Sequence, residues 1–404
     1  MKKVFFSLMV AVLALTACAP PTGVATTQPS SSNQVATVVA ATMQALQSNP
    51  TAEVTPESHA ELLPHALYYL GHGGYLYRME RDGKTVTQMT NEDNVTDFDI
   101  SPVDGSVVYV AYNQLILINP DGSNRRVLVD GGSDRYENDP RFYKDPLSNP
   151  VFSPDGQTIA YNHRHKGVTL YDVALGVSTV VIADDMYVGH SPVSFSPDGT
   201  KLLVALGQWE NPPAHAVYYP GTNDLVRIAN VPDGIGCCSE HGGPVWSPDS
   251  SSFYGVASYF QVCCQNGELW KVDAGNGAVT RSFVTFLEGD GTVDLPVEIH
   301  SAPDGQLYFF FGTYHRDSGF QDAQVLNMVR SAPDGVTDRA VLRDENFIMM
   351  NEALWAPDAS FVIVATAPSR DWNQGGGVLE LYYTDRQKEA VWLAPYGGQM
   401  KWGP

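Results

Sequence analysis

From residue 62 onward the chain alternates between short apolar runs and short polar turns. An apolar or aromatic residue precedes Ser/Ala-Pro-Asp-Gly, and a β-branched and aromatic run follows. The copies are Ile100-Ser101-Pro102-Val103-Asp104-Gly105, Phe152-Ser153-Pro154-Asp155-Gly156, Phe195-Ser196-Pro197-Asp198-Gly199, Trp246-Ser247-Pro248-Asp249-Ser250, Ser301-Ala302-Pro303-Asp304-Gly305 and Trp355-Ala356-Pro357-Asp358-Ala359. Their Asp positions are 51, 43, 51, 55 and 54 residues apart, a period of the size that marks a repeat architecture. Pro-Asp-Gly is turn chemistry: Pro presets φ, Asp bonds its own backbone and Gly supplies a positive φ.

The runs after these turns predict strands over 106–112, 158–161, 201–205, 252–258, 306–311 and 361–366. A third strand follows in each unit, as in Leu269-Trp270-Lys271-Val272-Asp273, and a fourth closes it, as in 126–129, 179–183 and 390–393. One further copy, Ser331-Ala332-Pro333-Asp334-Gly335, follows a third strand and corresponds to Asn119-Pro120-Asp121-Gly122, so both are read as turns between third and fourth strands. Four short antiparallel strands per repeat describe a propeller blade. With 66–70 as a further second strand, the count is seven, and 62–404 supplies 49 residues per blade. The fold expected is an all-β, seven-bladed β-propeller of four-stranded antiparallel blades. The first blade lacks an innermost strand of its own. Gly398-Gln399-Met400-Lys401-Trp402-Gly403-Pro404 resembles Gly243-Pro244-Val245-Trp246-Ser247-Pro248, so the C-terminal strand is expected to complete the first blade and close the ring.

The first 61 residues follow different rules. Lys2 and Lys3 precede an apolar run from Val4 to Leu15, too short to span a bilayer, which fits the core of an export signal. Leu15-Thr16-Ala17-Cys18 resembles the lipobox of bacterial lipoproteins, which implies cleavage after residue 17, lipidation at Cys18 and an exported, membrane-anchored chain in the cell envelope. Residues 18–61 are rich in Ala, Thr, Pro, Ser and Gln and lack aromatics, as in a spacer, with 35–48 as a short helical candidate. The domains expected are therefore a signal over 1–17, a linker over 18–61 and a propeller over 62–404.

Charge narrows the partners. Lys+Arg 24 against Asp+Glu 45 gives a net −21, which excludes a nucleic-acid backbone as a partner. An acidic body on a lipid tether is also repelled by anionic head groups and stands off the membrane.

The Phe-Ser-Pro-Asp-Gly units, followed by an apolar strand and Leu-Tyr-x-x-Asp, resemble the WD40-like repeats of the TolB family, and also the propeller modules of prolyl-oligopeptidase-type enzymes. The resemblance spans nearly all of 62–404 and implies the fold. Function follows from it only weakly, because the scaffold hosts many activities. TolB carries a folded N-terminal domain where this chain has a spacer, and the sequence holds no G-x-S-x-G elbow of the kind the peptidases carry.

Three constellations carry candidate chemistry. Cys237, Cys238, Cys263 and Cys264 fall in two loops of blade 5 and, in an exported chain, are expected to form two disulfides between the dipeptides; a Cys₄ metal site is the alternative. His72, His163, His165, His215 and His315 are placed in loops between second and third strands. His190 and His241 are placed in the loops entering blades 4 and 5, five residues before Phe195 and Trp246, with Glu240 beside His241. No cofactor is predicted, but His and carboxylate together could hold a divalent metal or act as acid and base. Asp97, Asn149, Glu298, Glu352 and Gln399 each stand three residues before their innermost strand's reference residue and are expected to ring the axis, where they would attract a cation or basic ligand or cap strand ends. The acidic runs 134–139 and 288–294 fit no calcium loop and are read as solvated loops. The function expected is a monomeric binding or scaffolding module for a protein, peptide or glycan; the competing class is a metal-dependent lyase or hydrolase using His190, Glu240 and His241.

Overall fold

In the computed structural model, every repeat turn is locked by its own side chains. Ser153 Oγ donates to Asp155 Oδ1 at 2.6 Å and accepts from the Thr158 amide, while the Gln157 amide bonds Asp155 Oδ1. Ser196 with Asp198 and Ser247 with Asp249 repeat the pattern at 2.6 Å. Gly156, Gly199 and Gly305 take positive φ as the turn requires, and Ser250 and Ala359 adopt it where Gly is missing. Hydrogen bonds from Ser247 and from the amide and hydroxyl of Ser251 lower the Asp249 pKa to about 2. The repeat motif is thus a structural latch.

The structure describes residues 61–185, 187–208, 211–228, 243–258, 266–286, 292–315, 325–348, 350–367 and 375–404. These all belong to the second of two units, His59–Pro404, so the signal, the linker and Cys18 lie outside the described residues.

Seven blades stand around one axis. Blade 2 comprises Asp97–Ile100, Val107–Ala111, Gln114–Ile118 and Arg126–Asp130. Blade 3 comprises Leu147–Phe152, Thr158–His163, Gly167–Asp172 and Val177–Ala183, and blade 4 Val188–Phe195, Leu202–Gln208, Asn211–Tyr219 and Asp224–Arg227. Blade 5 comprises Val245–Trp246, Ser252–Ser258, Asn266–Asp273 and Val279–Phe286, and blade 6 Thr292–Ser301, Leu307–His315, Leu326–Ser331 and Ala340–Phe347. Blade 7 begins with Met350–Trp355, Phe361–Thr366 and Gly377–Tyr383. All pairings are antiparallel, in sequence order from the axis outward.

One strand closes the ring and serves two blades. In Val391–Trp402 the first half pairs with Gly377–Tyr383 as the outer strand of blade 7 (Leu381↔Val391, Leu379↔Ala394), and the second half pairs with Leu67–Leu70 as the innermost strand of blade 1 (Leu67↔Trp402, Tyr68↔Lys401, Leu70↔Gly398). Leu76–Met79 and Val86–Gln88 complete blade 1. The sequence reading placed the closing strand correctly but treated it as separate from the outer strand of blade 7. Gly397 and Gly398 let the two halves run on as one, because a Cβ at Gly397 would stand 2.8 Å from Tyr69 and one at Gly398 2.9 Å from Gly376.

The core lies between blades. Leu67, Tyr69, Ile363, Leu379 and Met400 pack blade 1 on blade 7, and Val297, Phe310, Met328, Trp355 and Val364 pack blade 6 on blade 7. The run 134–139, read as a solvated loop, instead enters a hairpin of Arg135–Tyr136 and Asp139–Tyr143 between blades 2 and 3. The Arg135 guanidinium stacks 4.1 Å from the Tyr143 ring centre. Asn113 pins its root: the side chain donates to Gly132 O and Asp145 O and accepts from the Leu147 amide. Among the described residues no helix is long and apolar enough to cross a membrane.

Candidate functional site

The innermost strands position the axial residues through a repeated irregularity. A β-bulge interrupts the first pairing of blades 1, 3, 4, 6 and 7. At Asn149, Glu298 and Gln399 the bulge holds a non-glycine residue in the left-handed region, with φ of 52°, 54° and 50°. These three positions are equivalent, as the spacing predicts.

The structure brings the five predicted residues onto consecutive blades, 6, 7, 1, 2 and 3, and links them head to tail. The Glu298 carboxylate accepts from the Ala353 amide of blade 7. Glu352 accepts from the Gln399 amide at 2.7 Å and from the Met400 amide, both on the closing strand. Gln399 Nε2 donates to Thr96 O at 3.1 Å, and Asp97 Oδ2 accepts from the Asn149 amide at 2.6 Å. Blades 4 and 5 carry Pro192 and Gly243 at the same place, so the polar arc ends there. A second tier accompanies it: Lys401 Nζ lies 3.0 Å from Asp99 Oδ1, and Asp99 Oδ2 accepts from the Phe152 amide. Trp355 Nε1 and Trp402 Nε1 each donate to the innermost strand of the preceding blade, at 2.8 and 2.7 Å. Sequence reasoning missed Asp99 and Lys401, which stand two residues beyond Asp97 and Gln399 and carry the same pattern.

The electrostatics are those of partly desolvated acids. Burial, then the neighbouring Glu352, pushes the Glu298 carboxyl up to about 8. Burial also raises Glu352 and Asp97, against the lowering by hydrogen bonds from Gln399 and Met400 and by Lys401 respectively. Burial opposes the charge on Lys401, but Asp99, Asp97 and Glu352 together hold its pKa above the ordinary value. The arc can therefore offer acceptors to a cation, and its own amide bonds already use part of that capacity.

Several of the described histidines stand elsewhere than the sequence places them. His163 ends the second strand of blade 3 and is buried, and burial, then Lys166, lowers its pKa. His215 lies within the third strand of blade 4, tilted against Trp270 and edge-on to Phe253, and burial lowers its pKa to about 4. Both depart from the loop positions predicted, because their strands run past the turns. His72 stacks on Tyr396 at 4.0 Å, and His165 is exposed in a tight turn 4.0 Å from Asp145. His315 ends its strand, and its side chain lies outside what is described. His190 sits on the innermost strand of blade 4 rather than in the entering loop. It is 3% exposed, with Nδ1 3.1 Å from Asp184 Oδ1, and its Nε2 is buried without a partner. Asp184 Oδ1 also accepts the His190 amide, and the His190 carbonyl accepts from Asn162 Nδ2 of blade 3. Among the described residues no three His, Cys, Asp or Glu side chains come together as metal ligands. Glu240, His241 and the four cysteines Cys237, Cys238, Cys263 and Cys264 lie outside the described residues.

Comparison with known proteins supports the fold. No protein family matches the chain. An oligogalacturonate lyase solved in complex with manganese superposes with a TM-score of 0.55 at 13% identity, covering 82% of this chain and 84% of that one. The oligogalacturonate lyase of Vibrio parahaemolyticus gives a TM-score of 0.53 at 13% identity, over 81% and 84%. TolB from Acinetobacter baumannii is 19% identical at a TM-score of 0.40, and the match covers 75% of this chain and 64% of the length of that protein.

Proposed function

We propose that the chain is an exported, lipid-anchored binding module of the cell envelope, held at Cys18, whose axial arc receives a cationic group of a protein, peptide or glycan. The observation that carries this reading is the convergence of Glu298, Glu352 and Asp97, on blades 6, 7 and 2, about Lys401 on the intervening closing strand of blade 1. A low-dielectric, acid-lined opening concentrates cations from a distance, and the net charge of −21 reinforces that pull. The Pro192 and Gly243 side of the axis adds no charge, so an asymmetric ligand is favoured, with its cationic end toward blades 6, 7, 1 and 2.

Titration of the full Cys18→Ser chain with hexalysine and hexaglutamate tests this. At about pH 9, above the value near 8 at which the Glu298 carboxyl ionises, hexalysine should bind, more weakly in high salt, and Glu298→Gln with Glu352→Gln should weaken it at least about tenfold, equivalent to about 1.4 kcal/mol. Equal binding of both peptides, or no effect of the double variant, would refute the site.

A metal-dependent lyase or hydrolase is the second reading, favoured by one observation: the Asp184-held imidazole of His190 with an unused Nε2, which is how metal-ligating or basic histidines are usually prepared. The fold likeness to a manganese-bound lyase accords with it. The described residues alone do not complete a ligand set. Metal analysis of the purified wild type and of His190→Ala separates the readings, since the lyase requires a stoichiometric metal that His190→Ala loses.

A further inference from the structure

The free edge of an outer strand is a template for another strand, and proteins defend such edges with charge, proline or brevity. Six of the seven outer strands here are defended. Val86–Gln88 has three residues. Arg126–Asp130 and Asp224–Arg227 begin and end on charges. Val279–Phe286 carries Arg281; Ala340–Phe347 carries Arg343, Asp344 and Glu345; and the outer half of Val391–Trp402 carries Pro395. Val177–Ala183 of blade 3 is the exception. Its sequence, VSTVVIA, has seven residues with no charge and no proline, and Leu175 and Gly176 before it are also uncharged. Residues 177–180 are all exposed, Val177 by 54% and Val180 by 46%, and the preceding Leu175 by 76%. Among the described residues no strand pairs on its outer side.

We propose that Val177–Ala183 is the surface through which two copies of this chain associate, edge to edge and antiparallel about a two-fold axis. Charge selects the occupant. Two bodies of net charge −21 repel wherever their charged edges meet, so close approach is least opposed along an uncharged edge. On a second copy, the one described outer strand that is uncharged, free of proline and longer than three residues is this same strand, which makes the contact isologous and closed. Antiparallel self-pairing over Val177–Val180 sets Val177 against Val180 and Ser178 against Thr179, a β-branched pair and a hydroxyl pair that both favour sheets. A bulge at Val181, between the pairs Val168↔Ile182 and Thr169↔Val180, limits the regular ladder to Val177–Val180. The contact is therefore small, below the ~1,200 Å² of a stable interface, and the dimer is weak in place of the monomer expected from sequence. This inference is independent of any ligand at the axis.

Sedimentation of the full Cys18→Ser chain from about 1 to about 200 µM tests it. A weak, reversible dimer is expected, its fraction rising with concentration across this range. Val180→Lys should raise the dimer's Kd at least about tenfold, the worth of about 1.4 kcal/mol. Val341→Lys, on the equally exposed edge of blade 6, should leave it unchanged. A chain monomeric throughout, a dimer that survives Val180→Lys, or equal loss in both variants would overturn the proposal. So would open-ended assembly in place of a dimer.

Discussion

Replacing Glu298 by Gln should stabilise the protein, and by an amount that depends on pH in a defined direction. The carboxyl is held up to about 8 from its ordinary value of 4.5, so between these values the folded state keeps a proton that the unfolded state has released. Stability from this group is complete below about pH 4.5 and falls as pH rises through that window. At about 1.4 kcal/mol per pH step, the penalty at pH 7 is at most about 3 kcal/mol, reduced to about 1–3 by water at the axis. Gln keeps an oxygen for the Ala353 amide and tolerates the left-handed backbone, since Gln399 occupies the equivalent position at φ 50°. Urea unfolding of wild type and Glu298→Gln at about pH 5, 7 and 8.5 measures the difference. It should be small and positive at the lowest pH and grow toward the highest. A variant less stable than wild type at pH 7, or a difference independent of pH, would refute the burial and like-charge argument.

Other consequences are as direct. Glu352→Ala removes the acceptor of the Gln399 and Met400 amides on the closing strand and should cost about 1–3 kcal/mol in urea unfolding. His215→Phe, placed among Phe253 and Trp270, should flatten the acid side of the stability profile: a base held near 4 in the folded state contributes stability above pH 6.5 that is lost as pH falls toward 4, about 3 kcal/mol in full. Asn113→Ala frees the hairpin root, and amide exchange of residues 132–147 should accelerate while the core of blade 3 is unchanged. Glu268, fully buried with both oxygens unpartnered and its pKa raised by burial, should yield a more stable protein as Glu268→Leu at pH 7, seen as a higher Tm.

How much of this was readable in the chain follows from what each feature depends on. Turn chemistry is local, so Ser-Pro-Asp-Gly located the blades, and the strands over 252–258 and 361–366 match residue for residue. The axial arc was readable because equivalent blades place equivalent offsets at equivalent radii. Its head-to-tail bonding was not, because which amide a carboxylate meets depends on bulges that bring left-handed residues of the next blade into reach. Two histidine placements differ for a related reason. His163 and His215 adjoin turns in sequence, but the strands of blades 3 and 4 extend past those turns and carry both rings inward. His190 was singled out by its distance from Phe195, whereas its partner Asp184 precedes the strand and follows no repeat spacing. The hairpin between blades 2 and 3 was hidden in an acidic composition that normally marks solvated loops, although Tyr136, Phe142 and Tyr143 give the segment more aromatic residues than such a loop carries.

Closure of the ring by the C-terminus underlies the arc, the closing-strand bonds and the packing of blade 1 on blade 7. Hydrogen–deuterium exchange of the backbone amides from Gly398 to Gly403 tests it most directly. Paired with Leu67–Leu70, and with the Gly403 amide bonded to Ala66 O at 2.8 Å, these amides should exchange as slowly as those of the central strands of blade 7. Exchange within seconds, as in a frayed terminus, would contradict the closed propeller.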